Sequence, residues 1–422
     1  MEALIKFFIE IGKLKKIKRR GWVLRGVKDP ETVADHAYRV TVLTWLFGRG
    51  TSLKIRRLLK LALVHSLSAT YIDYISPYGK LLEAKSHAEA QRRYPALVLR
   101  ASVQLKELIK SRRFLEEKKA MNKLVKGLPE YLSKEIVDLW QDFQTGSSKE
   151  AKFLRAIDKL ENLIQAIEYR DQLSNEMISP FWSQSNQVTD DPRLIRFING
   201  LEHYFQHGKV KKADLQNLIN YILLVGKMKQ IKRKGWVMRG VKDPESLASH
   251  SFRAAFIAWV LSGRRRFDRE VVLGMLFVHD LFAPLIGDIT PYDKIIDVAK
   301  NKKELYDTLP WLGSSKGKKV LAIEQIDKES KAIDQLTKNL PKNLRQEVKY
   351  LWLEYKTGAS KEARFARQVD RIESVIQAME YQKNEKSLPV KAFWLELKEL
   401  IDDPLLSELV EQLDYYFLQQ GK

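Results

Sequence analysis

The chain has 422 residues, 45% of them hydrophobic, which suits two cores of about 200 residues each better than one. It has no cysteine, which excludes disulfides and thiolate zinc sites and fits a reducing, cytoplasmic setting. A formal net charge of +21 favours anionic partners and admits nucleic acid, while no apolar run approaches the ~20 residues of a membrane span.

In chain order, Leu4, Phe7, Phe8, Ile11 and Leu14 recur at helical spacing, and the stretch starting at Met1 lacks the pattern of a signal peptide. Lys13 to Arg25 then holds seven basic residues and no acid, either a solvated face or a phosphate-binding strip. Leu58 to Val64 predicts a short apolar helix ending on His65. A longer helix is expected from Ser148-Lys-Glu-Ala to Tyr169, with Ser148 as N-cap after a Gly-containing turn. The polar stretch His207-Gly208-Lys209 reads as a linker, so the expected domains are 1–207 and 208–422. The same order follows again: Leu215, Leu218, Ile222 and Val225, then six basic residues from Lys227 to Arg239, then Val271 to Val278 ending on His279. Ser360-Lys-Glu-Ala to Tyr381 closes the second copy, and no alternating strand pattern of useful length occurs. The fold class is therefore all-α, two tandem helical domains from an internal duplication.

The duplication is direct. Gly12 to His36 returns as Gly226 to His250, an offset of 214 (250 − 36), with 18 of 25 positions identical. The copies diverge where chemistry would sit: Val278-His279-Asp280 in the second copy faces Val64-His65-Ser66 in the first. In the second copy Asp243-Pro244 marks a helix start and places His250 one to two turns in. Asp370 lies on the border of a buried stripe formed by Val369, Ile372, Val375 and Ile376. Two imidazoles and two carboxylates offer a divalent cation mixed N/O ligation with room for water and substrate. On spacing alone these residues are either a satisfied core pair or such a site.

These residues carry a resemblance. Both halves resemble the HD-domain phosphohydrolases, and most closely the HD-domain 5′-deoxynucleotidases, through Arg233-Lys-Gly-Trp-Val-Met-Arg239, Asp243 to His250, Val278-His-Asp-Leu281, Gly287-Asp-Ile-Thr-Pro-Tyr292 and Ala363 to Asp370. The resemblance implies an HD-type helical fold in each half and metal ligation by His250, His279, Asp280 and Asp370. It implies attack of a metal-activated water on the phosphorus of a nucleoside 5′-monophosphate, expected to be a deoxyribonucleotide. The donor set does not separate Mn, Co, Mg, Fe or Zn. Members of this branch pair as homodimers, so the tandem is expected to stand as an internal pseudo-dimer, itself able to form a homodimer.

Departures from the pattern bear on catalysis. The family carries a Glu four residues after the second His to position the attacking water; this chain has Ala283, and Ala69 in the first copy. Asp288 remains as the candidate catalytic carboxylate, and the segment Lys294 to Lys303 is rich in lysine. Arg239 is the first phosphate-binding candidate and Lys234 the second, because guanidinium and ammonium groups bind phosphate. Trp236 is read as a core residue or as a border of the nucleotide pocket. In the first copy His36, His65 and Asp158 align with ligands, but Ser66 replaces the Asp and Asp73-Tyr74 replaces the Gly-Asp pair. That site is expected to be degenerate, its histidines kept either for packing or for residual metal binding. The expected function is metal-dependent phosphohydrolysis of nucleotides by the C-terminal domain; the alternative is a catalytically reduced module that senses nucleotide or holds nucleic acid.

Overall fold

A computed structural model describes residues 1–72, 103–263, 265–290, 293 and 315–420. Among them no strand occurs, only the isolated antiparallel bridges Lys18–Thr32 and Lys232–Ser246. The chain divides into two compact units, Lys13–Gln216 and Met1–Gly12 together with Asn217–Lys422. Relative to the expected division at 207/208, the first twelve residues join the second unit and residues 208–216 join the first.

Helix α1, Glu2–Gly12, buries Phe7, Phe8 and Ile11 of the apolar positions read at helical spacing, and Ile5 rather than the half-buried Leu4. The first unit contains α2 Arg20–Val23, α3 Val33–Gly48, α4 Ile55–Val64, α5 Val103–Leu124, α6 Glu130–Thr145, α7 Lys149–Glu168, α8 Asn175–Val188 and α9 Pro192–His207. Helix α10, Ala213–Lys227, crosses the boundary between units. The second unit repeats the series as α11 Lys234–Met238, α12 Leu247–Ser262, α13 Arg269–Val278, α14 Ala283–Ile286, α15 Ser315–Thr337, α16 Lys342–Thr357, α17 Lys361–Asn384, α18 Lys391–Leu400 and α19 Pro404–Gln420.

Each unit is organised around a helix buried on all sides. Every residue of α12 is buried, as are all but Leu46 of α3, so these helices form the centres of the two cores. In the second unit α12 packs on α13 and α17; in the first, α3 packs on α4 and α7. Helix α3 opens with a capping box in which Thr32 Oγ1 accepts from the Asp35 N–H and Asp35 accepts from the Thr32 N–H. In the second unit Ser246 is the N-cap and accepts from the Ser249 N–H. Pro244 therefore precedes the helix, and His250 sits in its first turn, earlier than the Asp-Pro signal suggests. Ser148 and Ser360 are N-caps as expected, each after a left-handed glycine, Gly146 and Gly358, that closes the preceding helix.

Candidate metal centre

The second unit brings four elements to one point. Arg233 N–H donates to the Glu245 carbonyl and Leu247 N–H to the Ile231 carbonyl, a two-bond clip that lays the basic segment along the start of α12. The clip places the Arg233 guanidinium 3.0 Å from Ser374 Oγ and 3.1 Å from His250 Nδ1. His279 is the C-cap of α13, and Asp370 comes from the middle of α17.

His250, His279 and Asp370 are buried, and one donor atom from each lies within 4.8 Å of the others. His250 Nε2 is 2.7 Å from Asp370 Oδ1, and His279 Nε2 is 3.8 Å from the same oxygen. The His279 Nδ1–H donates to the Leu276 carbonyl at 3.0 Å, so Nε2 is the ring nitrogen that faces Asp280 and Asp370. That nitrogen is buried without a hydrogen-bond partner; Asp280 Oδ2 stands 3.1 Å away but off a hydrogen-bonding angle. A buried imidazole nitrogen without a hydrogen bond, beside carboxylate oxygens of Asp280 and Asp370, is a donor set that suits a divalent cation. These residues fit such an ion. Asp280 touches His279 but stands outside the tight group formed by the other three.

The charges are mutually sustained. Burial and Arg233 oppose protonation of His250, yet Glu373 and Asp370 outweigh them and lift its pKa to about 9. Burial raises Asp370, but the hydrogen bond from His250 and the neighbouring histidines hold it well below the usual carboxylate range. Asp280 is likewise held low, against burial, mainly by His279. Asp288 moves the other way: burial and the Asp280 charge push it up to about 6, with Arg233 opposing. Its carboxylate accepts from the Lys234 N–H at 2.7 Å.

A cavity of about 640 Å³ opens on this group, lined among others by Arg233, His279, Asp280, Asp288, Lys356 and Asp370. Lys234 lies beside it with its ammonium 2.6 Å from Asp293 Oδ2. Arg239 lines the cavity too, but its guanidinium donates to the Gly235 and Pro389 carbonyls and lies 4.7 Å over the Phe393 ring. Trp236 is 1% exposed, stacks on Phe393 and donates from Nε1 to Glu245 Oε1; it is a core residue whose edge borders the cavity. Ala283 is buried at the start of α14.

Sequence reading missed the shell behind His250 and Asp370. Glu373 meets His250 Nδ1 and accepts from Arg253 Nε at 2.8 Å, while Arg253 also donates to Glu380 and Gln377 at 2.7 and 3.0 Å. Tyr355 donates to Asp370 Oδ2 at 2.8 Å. Glu329, fully buried on α15, accepts from Gln325 and lies 2.5 Å from the Lys356 ammonium, which sits over the Phe282 ring. A signal existed for part of this. Glu161 and Glu373, Arg39 and Arg253, Arg19 and Arg233 occupy matching positions in the two copies with their residue types unchanged.

The first unit repeats the frame with one carboxylate fewer, Ser66 standing in the place of Asp280. His36, His65 and Asp158 also group within 4.8 Å, and Glu161 meets His36 Nδ1 at 2.5 Å. Here His65 Nε2 lies 3.3 Å from His36 Nε2, and burial plus that neighbour pull its pKa down to about 4. Phe143 replaces Tyr355, and the Lys159 ammonium lies 3.0 Å from Asp158 Oδ2. Ser66 is buried and makes no capping bond. Asp73-Tyr74 and Lys294 to Lys303 lie outside the described residues.

Comparison with known proteins agrees with this duplication. The HD domain family model matches residues 11–193 and again 225–394. The 5′-deoxynucleotidase HDDC2 of Mus musculus is 31% identical over 202 residues, 47% of this chain and 87% of that protein. The protein of the same name from Danio rerio is 34% identical over 171 residues, covering 40% and 72%. A conserved hypothetical protein from Pyrococcus furiosus is similar at 26% identity over 47% of this chain and 99% of its own, with a TM-score of 0.35. No helix among the described residues is long and apolar enough to cross a membrane.

Proposed function

The chain belongs to the HD domain family, and we propose that its C-terminal repeat is a metal-dependent phosphohydrolase of nucleoside 5′-monophosphates, with deoxyribonucleotides preferred. The observation that carries this reading is the buried, unpartnered His279 Nε2 facing His250, Asp280 and Asp370 at one wall of a cavity large enough for a nucleotide. The names of the relatives in mouse and zebrafish support the substrate class.

In this reading His250, His279, Asp280 and Asp370 hold a divalent cation. When bound, that ion supplies a nucleophilic water at neutral pH and offsets the charge of the phosphoryl oxygens. Arg233, fixed by Ser374 and Glu245, presents its guanidinium to the phosphate from the side of Asp280 and Asp288. Arg239 adds positive charge at the cavity wall while held by the Gly235 and Pro389 carbonyls, and Lys234 is paired with Asp293 beside it. Asp288 lines the cavity as the candidate to accept a proton from the attacking water, and its burial raises its proton affinity above that of an ordinary carboxylate. Ala283 supplies no carboxylate, so turnover is modest, below the ~10 per second typical of enzymes.

The test is elemental analysis of the purified chain together with phosphate release from a panel of ribo- and deoxyribonucleoside monophosphates. Bound divalent cation and release from deoxynucleotides support the reading. Nucleotide binding without release would instead establish the catalytically reduced module.

A further inference from the structure

Gly12, the last residue of α1, has no room for a side chain. A Cβ added there would lie 2.2 Å from Arg253 Nη1 and 2.8 Å from Glu380 Oε1. Arg253 cannot step aside cheaply, because it is fully buried and spans Glu373, Gln377 and Glu380 with three hydrogen bonds. Nor can α1 back away. Ile5, Phe7, Phe8 and Ile11 are all at most 2% exposed, Phe7 meets Phe256 of α12 edge-on at 5.7 Å, and the helix packs on α12, α17 and α19 of the same compact unit. The chain of contacts therefore runs from Gly12 to Arg253, from Arg253 to Glu373, and from Glu373 to His250 Nδ1.

We propose that Gly12, at the end of α1, is a working part of the C-terminal metal centre, seating the Arg253–Glu373 brace that orients His250. Gly12 is a positioning residue, and the inference rests on the reading that His250 is a metal ligand. In sequence this helix stands at the far end of the chain, ahead of the degenerate repeat, so the degenerate repeat is carried between two parts of one site. A C-terminal domain cut at 207/208 is incomplete for the same reason. Residues behind a metal-binding His typically govern 10- to 100-fold in metal affinity when disturbed.

The experiment uses the full chain with Mn²⁺ as probe. Gly12→Ala should weaken binding at the C-terminal site by ~10-fold or more, whereas Phe7→Leu, which loosens the same helix away from Arg253, should leave affinity within twofold. On an Arg253→Gln background, Gly12→Ala should add nothing, because the group it displaces is gone. A second measurement needs no cation: the His250 Nδ1 proton resonance in metal-free protein should move in Gly12→Ala and not in Phe7→Leu. Unchanged affinity and an unmoved resonance in Gly12→Ala overturn the proposal, as does an equal loss in Phe7→Leu. A wild-type chain that binds no Mn²⁺, with the resonance still moved, keeps the brace and refutes the metal reading alone.

Discussion

Removing one hydroxyl tests how much of the metal centre is built by its supports. Tyr355 is buried, and its O–H donates to Asp370 Oδ2 at 2.8 Å. Tyr355→Phe keeps the ring and its packing against His279, whose centroid is 5.0 Å away, and deletes only that donor. A hydrogen bond to a charged acceptor contributes about 1.5–3 kcal/mol, and the deserted oxygen is buried, so the upper half of that range applies. Metal-free protein should lose about that much stability in the transition of its second unit. Metal affinity should fall ~10-fold or more, because Asp370 is then free to rotate toward His250 alone. The first unit is the internal control: Phe143 already stands there, and Asp158 Oδ2 takes the Lys159 ammonium instead. Phe143→Tyr should accordingly change little. Urea titrations of the metal-free proteins and competition with a chelator of known affinity read both quantities. A Tyr355→Phe protein within about 0.5 kcal/mol and twofold of wild type would refute the claim that this hydroxyl orients the ligand.

Asp280→Ala should abolish stoichiometric metal in the C-terminal unit and remove the rise in melting temperature on adding metal, since a ligand bound only by the folded state stabilises it; unchanged content by elemental analysis would exclude Asp280 as a ligand. Ser66→Asp should raise metal content from about one toward two per chain while adding little phosphate release, and two ions already present in the wild type would contradict the degenerate reading of the first unit. Asp142 accepts from the Ser148 N–H and O–H and from Arg57, which together hold its pKa low against burial. Its contribution is complete above the unfolded value of ~3.9 and is lost as pH falls through the lower folded value. Asp142→Asn should therefore be less stable than wild type by a constant margin from pH 5 to 7, and the margin should close toward pH 3; a margin independent of pH would show that charge plays no part.

Much of the molecule was readable without coordinates. The 3.6-residue spacing of apolar side chains determines helix, the repeat of Gly12 to His36 at Gly226 to His250 determines two like units, and the H…HD…D order picks out His250, His279 and Asp370, whose donor atoms lie together, and Asp280, which touches His279 outside that group. The caps at Ser148 and Ser360 were legible because capping is local chemistry, whereas the start of α12 was misplaced because Asp-Pro and Ser246 compete as signals three residues apart. Only the tertiary structure decided what lies behind His250 and Asp370. Glu373 and Tyr355 reach His250 and Asp370 from helices whose pairing depends on packing, and periodicity marks a face as buried without naming what covers it. For the same reason α1 reads as an ordinary amphipathic helix at the head of the first repeat. Its apolar stripe is satisfied by any matching groove, and the groove that takes it, with Arg253 waiting at Gly12, belongs to the second.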